Sequence, residues 1–369
     1  MSRQDRPHED FFPIRGYDHV EFYVGNARQA AHFYDKSFGF KPVAKMGQET
    51  GCRTRASYVM QQGNVRLVLT CALTPDDEVA RHCALHGDGV KVIGIEVADC
   101  DQAMRELKTR GATILQPATA AEDEFGTLKT GVIKYAGDTV FKFVERGSYR
   151  GPFAPGYKPL NVSGAGGVGL AAVDHIVTNV YLGEMDYWAR WYEQMMGFGQ
   201  LKHFTDDDIS TEYSALMSKV MENGAGKLKF PINEPAEGRR KSQIDEYLEW
   251  YNGPGVQHVA MNTKDICATV RELRKREIDF LRVPDTYYED LRDRIGKIDE
   301  DYDELQELGI LVDRDEDGYL LQIFTQPVQD RPTLFYEVIE RHGCRGFGQG
   351  NFKALFVSLE REQARRGNL

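Results

Sequence analysis

Two histidines and one glutamate, far apart in the chain, sit among apolar neighbours: His175 in VDHIV, His258 in VQHVA and Glu337 in TLFYEVIER. Runs of β-branched and aromatic residues of this kind read as buried strands. Alternation along a strand turns every second side chain to the same face, so both histidines can aim into one concavity. A single strand histidine is more often a satisfied core residue than a ligand. A buried carboxylate must meet a cation or take up a proton, and for Glu337 that leaves a neighbouring arginine or a metal. Two neutral imidazoles and one carboxylate on one face leave positions open, which is what non-haem Fe(II) needs to hold both a substrate and O2.

The elements that must position these residues belong to an internal repeat. Residues 17–41, YDHVEFYVGNARQAAHFYDKSFGFK, and 173–200, VDHIVTNVYLGEMDYWARWYEQMMGFGQ, share an Asp-His opening strand, a helix and a Gly-Phe close. Residues 93–115 and 257–281 each give a strand and then an amphipathic helix with Arg-Glu-Leu. The strands DTVFKFVERG (138–147) and PTLFYEVIERHG (332–343) both run into Glu-Arg. Whole domains are thus repeated, and the pattern predicts α+β modules with curled mixed sheets backed by helices.

The first domain is expected over 1–150 and the second over 171–369. Between them, 151–170 is rich in Gly, Pro and Ser and reads as a linker. The spacing of Phe352, Leu355, Phe356 and Leu359 predicts a closing helix over 352–366. Alignment of the halves sets His19 against His175, Gly94 against His258 and Lys142 against Glu337. An ammonium repels a divalent ion, so the first half is expected to keep the scaffold without a metal, leaving one ion per chain.

Composition narrows the field. The 369 residues are 41% hydrophobic and 28% charged with a net charge of −11, the profile of an ordinary globular protein without the basic face that nucleic acid requires. No apolar run approaches the ~20 residues of a membrane helix. The opening MSRQDRPHEDFF lacks the apolar core of a secretory signal, so a cytoplasmic location is expected. Six cysteines without CxxC pairs point to free thiols. His8, His32, His82, His86, His203 and His342 carry no such context and read as ordinary polar residues.

Two motifs are decoys. GAGGVG at 164–169 matches a dinucleotide fingerprint, but a linker precedes it and a strand follows. Asp313, Asp315, Asp317 and Gly318 open like a calcium loop, but Phe324 stands where the closing glutamate belongs, so Asp317-Gly318 reads as a hairpin turn.

Longer runs make the reading specific. VDHIV, FPINEPAEGRRKSQIDEYLEWYNGPGVQHVA, GYLLQIFTQPVQDRPTLFYEVIER and GFGQGNFKALF together resemble the 4-hydroxyphenylpyruvate dioxygenases over about residues 14 to 366. The resemblance implies the vicinal-oxygen-chelate fold, with paired βαβββ modules in each domain. It implies one Fe(II) per chain on His175, His258 and Glu337. It further implies a substrate pocket formed by Ser214, Asn233, Gln243, Gln257, Gln322, Phe324, Phe347, Asn351 and Phe352. Phe324 and Phe352 would sandwich a phenol ring, while amides and a hydroxyl would bond its OH without supplying charge.

The implied reaction converts 4-hydroxyphenylpyruvate and O2 to homogentisate and CO2 by oxidative decarboxylation, ring hydroxylation and side-chain migration, a step of tyrosine and phenylalanine catabolism. The family also implies a homo-oligomer, dimer or tetramer. The nearest alternative is 4-hydroxymandelate synthase, which hydroxylates the benzylic carbon; Asn233 and Phe352 match the dioxygenase pattern instead. A metal-free binding protein on the same scaffold is the alternative of a different class, and the intact second-half triad weighs against it.

Overall fold

The computed structural model describes residues 10–161, 167–204, 215–236 and 241–367, with only the backbone of Ala215, Lys353 and Phe356. The first half contains strands β1 (Ile14–Tyr23), β2 (Lys41–Met46), β3 (Arg55–Gln62), β4 (Val65–Ala72), β5 (Gly89–Val97), β6 (Ile114–Asp123), β7 (Gly126–Lys134), β8 (Val140–Glu145) and β9 (Lys158–Pro159). Its helices are α1 (Ala27–Lys36), α2 (Glu78–His86) and α3 (Cys100–Thr109). The second half contains β10 (Ala172–Asn179), β11 (Gly199–Phe204), β12 (Ala215–Glu222), β13 (Lys229–Ala236), β14 (Gly255–Asn262), β15 (Leu311–Arg314), β16 (Tyr319–Phe324) and β17 (Phe335–His342). Its helices are α4 (Met185–Met196), α5 (Gln243–Tyr251), α6 (Ile266–Lys275), α7 (Leu291–Ile295), α8 (Tyr302–Leu308) and α9 (Phe352–Arg365).

Each half is two βαβββ modules joined side by side into one curled mixed sheet. The strand orders are β6-β7-β8-β5-β1-β4-β3-β2-β9 and β11-β12-β13-β10-β14-β17-β16-β15. In both, the opening strands of the two modules meet antiparallel (β1 with β5, β10 with β14), and each also pairs parallel with the last strand of its own module. This pairing brings β10, β14 and β17 side by side at the centre of the second sheet. Helices α3 and α6 start alike, with Asp99 and Asp265 as N-caps and Glu145 and Glu340 accepting the first N–H groups.

The helical layers lie between the sheets and share one apolar core. Tyr34 and Tyr336 meet across the seam with their hydroxyls 2.6 Å apart. Tyr17 donates to the Lys229 carbonyl, and the rings of Tyr135, Trp191, Tyr192 and Phe230 pack against one another from both sides. Among the described residues, no helix is long and apolar enough to cross a membrane.

The stretch 151–170 is only partly a linker. Phe153 is buried against Ala44, Val59 and Val68, and Lys158–Pro159 pairs with β2. Val168 and Gly169 then donate to Gln62 Oε1, tying the chain to the β3–β4 hairpin. Scattered aromatics suffice for this docking, and they leave no periodic signal. Residues 164–166 of GAGGVG lie outside the described residues. Asp317-Gly318 does turn a hairpin, since Arg314 pairs with Tyr319.

Candidate metal centre

The three candidate ligands converge on the concave face of the second sheet. On β10, Val173 pairs with Met261 and His175 with Ala260, so Asp174 is the extra residue of a bulge. A bulge bends the strand and re-aims its side chains, and here it lays Asp174 beside the histidine that follows. His258 on β14 pairs with Val177 and Phe335, and Glu337 on β17 pairs with Ala260 and Phe324. His175 Nε2 and His258 Nε2 lie 3.0 and 3.4 Å from the same Glu337 oxygen, Oε2. Neighbouring positions of an octahedral ion with ~2.1 Å bonds are about 3 Å apart, so the donor atoms already have metal-ligand spacing.

Each histidine is held from behind. His175 Nδ1 lies 2.8 Å from Asp174 Oδ1, and His258 Nδ1 lies 3.0 Å from Gln257 Oε1. Because those oxygens only accept, Nδ1 carries the proton and Nε2 presents its lone pair to the cluster. His258 also stacks on Phe335, with ring centroids 4.7 Å apart. Burial pushes the Glu337 carboxyl up, yet the two imidazoles outweigh burial and hold it at about 2. Burial lowers His258, whereas for His175 the carboxylates of Glu337 and Asp174 overcome burial and raise it. The site therefore stores a carboxylate in a dry place, and the donor set of two imidazoles and one carboxylate fits a divalent non-haem ion.

The cluster opens into a cavity of about 70 Å³. By that measure it has room for several water molecules. Asn233, Gln243, Gln257, Phe324, Phe347 and Phe352 all line it. Phe347 stands edge-on to His175 at 5.1 Å. Phe352 opens α9, which covers the cavity with Leu355 and Leu359. The covering helix is fixed by the Ser358 hydroxyl on the Arg282 carbonyl and by Arg366 on Glu246.

Two expected pocket residues stand back from the cavity wall. Gln322 is buried beneath Gly348, where an added Cβ would come within 2.4 Å of its amide nitrogen. Asn351 is fully buried, and its Oδ1 accepts the Tyr287 hydroxyl at 2.6 Å, anchoring the start of α9. Both are buried amides next to the lid, so their surroundings in the sequence look like those of wall residues. Ser214 lies outside the described residues, as does the side chain of Phe356. The wall also includes Val177, Phe204, Ser218 and Phe335, which sequence reasoning missed. Phe335 and Val177 share a face with the ligands at spacings of two, and that period was the available signal.

The first half tests the alignment. His19 pairs with Gly94 and Gly94 with Lys142, as His175 pairs with Ala260 and Ala260 with Glu337. Lys142 thus does stand at the place of Glu337, but the counterpart of His258 is Val92, which pairs with Glu21 and Val140, and not Gly94. A slip of two residues preserves every inward and outward assignment, so alternation alone cannot detect it. Valine binds no metal either, and His19 Nε2 is buried without a hydrogen-bond partner among the described residues.

The remaining described histidines lie away from this cavity, although His82 and His86 with Asp138, and His342 with Glu300 and Glu340, also gather donor atoms within 4.8 Å of one another. His32 and His203 are exposed, and His82 and His86 contact Asp138 and the Tyr251 carbonyl. His342 sits between Glu300 and Glu340. His8 lies outside the described residues, and the six cysteines are free.

The sequence matches the Glyoxalase/Bleomycin resistance protein/Dioxygenase superfamily over residues 16–127 and 172–323, one segment in each half. It is 47% identical to a 4-hydroxyphenylpyruvate dioxygenase of Danio rerio, over 97% of this chain and 94% of that one. The chain belongs to the 4-hydroxyphenylpyruvate dioxygenase family. The relative from Yarrowia lipolytica, of the same name, is 44% identical over 96% of this chain and 94% of its own. Among solved structures, a triple mutant of 4-hydroxymandelate synthase from Streptomyces coelicolor superimposes with a TM-score of 0.86 at 34% identity, covering 95% of this chain and 99% of that one. Membership of this dioxygenase family makes the protein a metal-dependent enzyme.

Proposed function

We propose that the chain is an Fe(II)-dependent enzyme that converts 4-hydroxyphenylpyruvate and O2 to homogentisate and CO2. One oxygen atom ends in the carboxylate left by decarboxylation and the other on the ring, whose side chain migrates. The observation that carries this reading is the buried His175–His258–Glu337 cluster at the floor of an aromatic cavity. Identity of 47% to a dioxygenase of that name, from end to end, supports it.

His175, His258 and Glu337 would hold one iron, which when bound supplies chelation of the 2-oxo acid and activation of O2. The chain's own work is positional. Asp174 and Gln257 keep both imidazoles in the ligating tautomer. Phe324, Phe335, Phe347 and Phe352 confine the ring and exclude water, and Asn233, Gln243 and Gln257 offer uncharged hydrogen bonds to a phenol. Gln322 and Asn351 support the lid from behind the wall, and Ser214 is assigned to the pocket by family resemblance. Catalysis rests on the second domain, 171–369, while the first, 1–150, serves as scaffold and as a surface for self-association into a dimer or tetramer. A cytoplasmic location accompanies this role in aromatic amino-acid breakdown.

A second reading, 4-hydroxymandelate synthase, shares the fold, since a triple mutant of that enzyme superimposes with a TM-score of 0.86. Asn233 and Phe352 on the cavity wall argue for the dioxygenase. The test is product identification after iron-loaded protein meets 4-hydroxyphenylpyruvate and O2. Homogentisate as the main product is expected. 4-Hydroxymandelate would select the sister enzyme, and no O2 uptake by fully loaded protein would reject both.

A further inference from the structure

Arg341 follows Glu337 by four residues on β17, so its side chain emerges on the same concave face. Its guanidinium grips Asp174 with two parallel bonds, Nε to Oδ2 at 2.8 Å and a terminal nitrogen to Oδ1 at 2.9 Å. The other terminal nitrogen donates to the carbonyls of Cys344 and Gly346, and the group lies 5.3 Å over the Phe347 ring. One side chain thus touches the carboxylate behind a ligand and the loop that delivers a wall of the cavity.

The first half repeats this arrangement without the ligand set. Arg146 grips Asp18 at 2.5 and 2.9 Å, donates to the Phe153 carbonyl and lies 5.5 Å over the Phe153 ring. Asp18 holds His19, and Phe153 stands edge-on to His19 at 5.1 Å, as Phe347 does to His175. With Val92 and Lys142 in place of ligands, this copy has only a bracing task.

We propose that Arg341 is a positioning residue that fixes His175, through Asp174, and the Phe347 wall as one rigid unit, so that metal and substrate geometry are set together. This inference rests on the reading that the cavity holds a metal-chelated aromatic 2-oxo acid. A planar fork is required, since it fixes both Asp174 oxygens at once and thereby the plane of the imidazole behind Oδ1. Lysine keeps the charge but cannot hold two oxygens in that geometry.

The duplicate supplies the control. Arg341→Lys, Arg341→Gln, Arg146→Lys and Arg146→Gln are compared as full chains by anaerobic Fe(II) titration, by melting without metal, and by kcat, KM and homogentisate formed per O2. Both Arg341 variants should bind Fe(II) about 10–100-fold more weakly. They should also form less homogentisate per O2, with kcat falling more than KM rises. The Arg146 variants should lose comparable melting temperature yet keep Fe(II) affinity within about twofold. Unchanged affinity in folded Arg341→Lys overturns the proposal, and so does an equal loss in Arg146→Lys, which would make the effect a global one. Should Arg341→Gln fail to fold, the lysine variant decides alone. Affinity and melting are read without substrate, so a wild-type protein that makes no homogentisate would count against the proposed reaction and leave the metal comparison intact.

Discussion

At the scale of single residues, the first half works as a built-in negative. His19 has its own carboxylate, Asp18, at 2.6 Å, and still faces Lys142 and Val92 where a metal would need Glu337 and His258. His258→Ala should lower metal affinity by more than the ~100-fold that loss of a mere supporting partner costs and bring turnover to background. His19→Ala should leave metal content and turnover unchanged while costing about 2–4 kcal/mol of stability, as large-to-small changes at buried sites do. Metal analysis and thermal melting of the two variants check both halves of this expectation, and a second equivalent of iron in wild-type protein would contradict it. The ligands were legible because a histidine or glutamate in a strand of β-branched residues is chemically out of place. Phe204 and Ser218 were not, because a small or apolar strand residue has the same pattern whether it faces core or cavity. Asp174 and Arg341 were visible as the repeated Asp-His and Glu-Arg pairs, but nothing in one dimension says that the second member of one pair grips the first member of the other.

At the scale of elements, the covering helix links the site to the rest of the fold. α9 follows Gly348, whose φ of +75° is a left-handed turn, and packs Ala354 and Leu359 onto Leu281, Val283, Phe324 and Phe335. Helix spacing at Leu355 and Leu359 made α9 legible, and its expected span of 352–366 differs from Phe352–Arg365 by one residue. The opposite failure occurred at β5 and β14, where a two-residue slip in alignment left the alternation intact. Truncation after Gly350 removes α9 and opens the cavity, while the ligand strands β10, β14 and β17 remain paired through their own ladders. Such a chain should still bind iron but lose about 100-fold in homogentisate formation, the usual cost of a ~1 Å loss of position. O2 electrode traces run beside product chromatography would show O2 uptake exceeding homogentisate, and a normal yield would remove the lid role from α9.

At the scale of the whole molecule, the seam between the halves carries a charged knot. Asp138 accepts from His82 at 2.7 Å and from Lys91 at 2.6 Å, while neighbouring His86 bonds the Tyr251 carbonyl across the seam. Burial pushes the Asp138 carboxyl up, but His82 and Lys91 outweigh it and hold the group well below its ordinary value of 3.8. A depressed folded value means that the stability contributed is full above the ordinary carboxylate range and is lost as pH falls toward the folded one. Melting of wild type and Asp138→Asn should therefore differ in full at pH 6, and the gap should begin to close only below about pH 4 and go on closing with further acid; a gap as wide at about pH 2 as at pH 6 would exclude this group as a source of acid sensitivity. The order of strands in the second sheet has a consequence for biogenesis. A chain made from its N-terminus releases His175 first, then His258 and last Glu337, and β14 must lie between β10 and β17 before three donors meet. No partial pairing of two strands carries the full set. A complete set of donors for an ion thus exists only once the sheet is assembled, and a half-made chain offers at most two of the three.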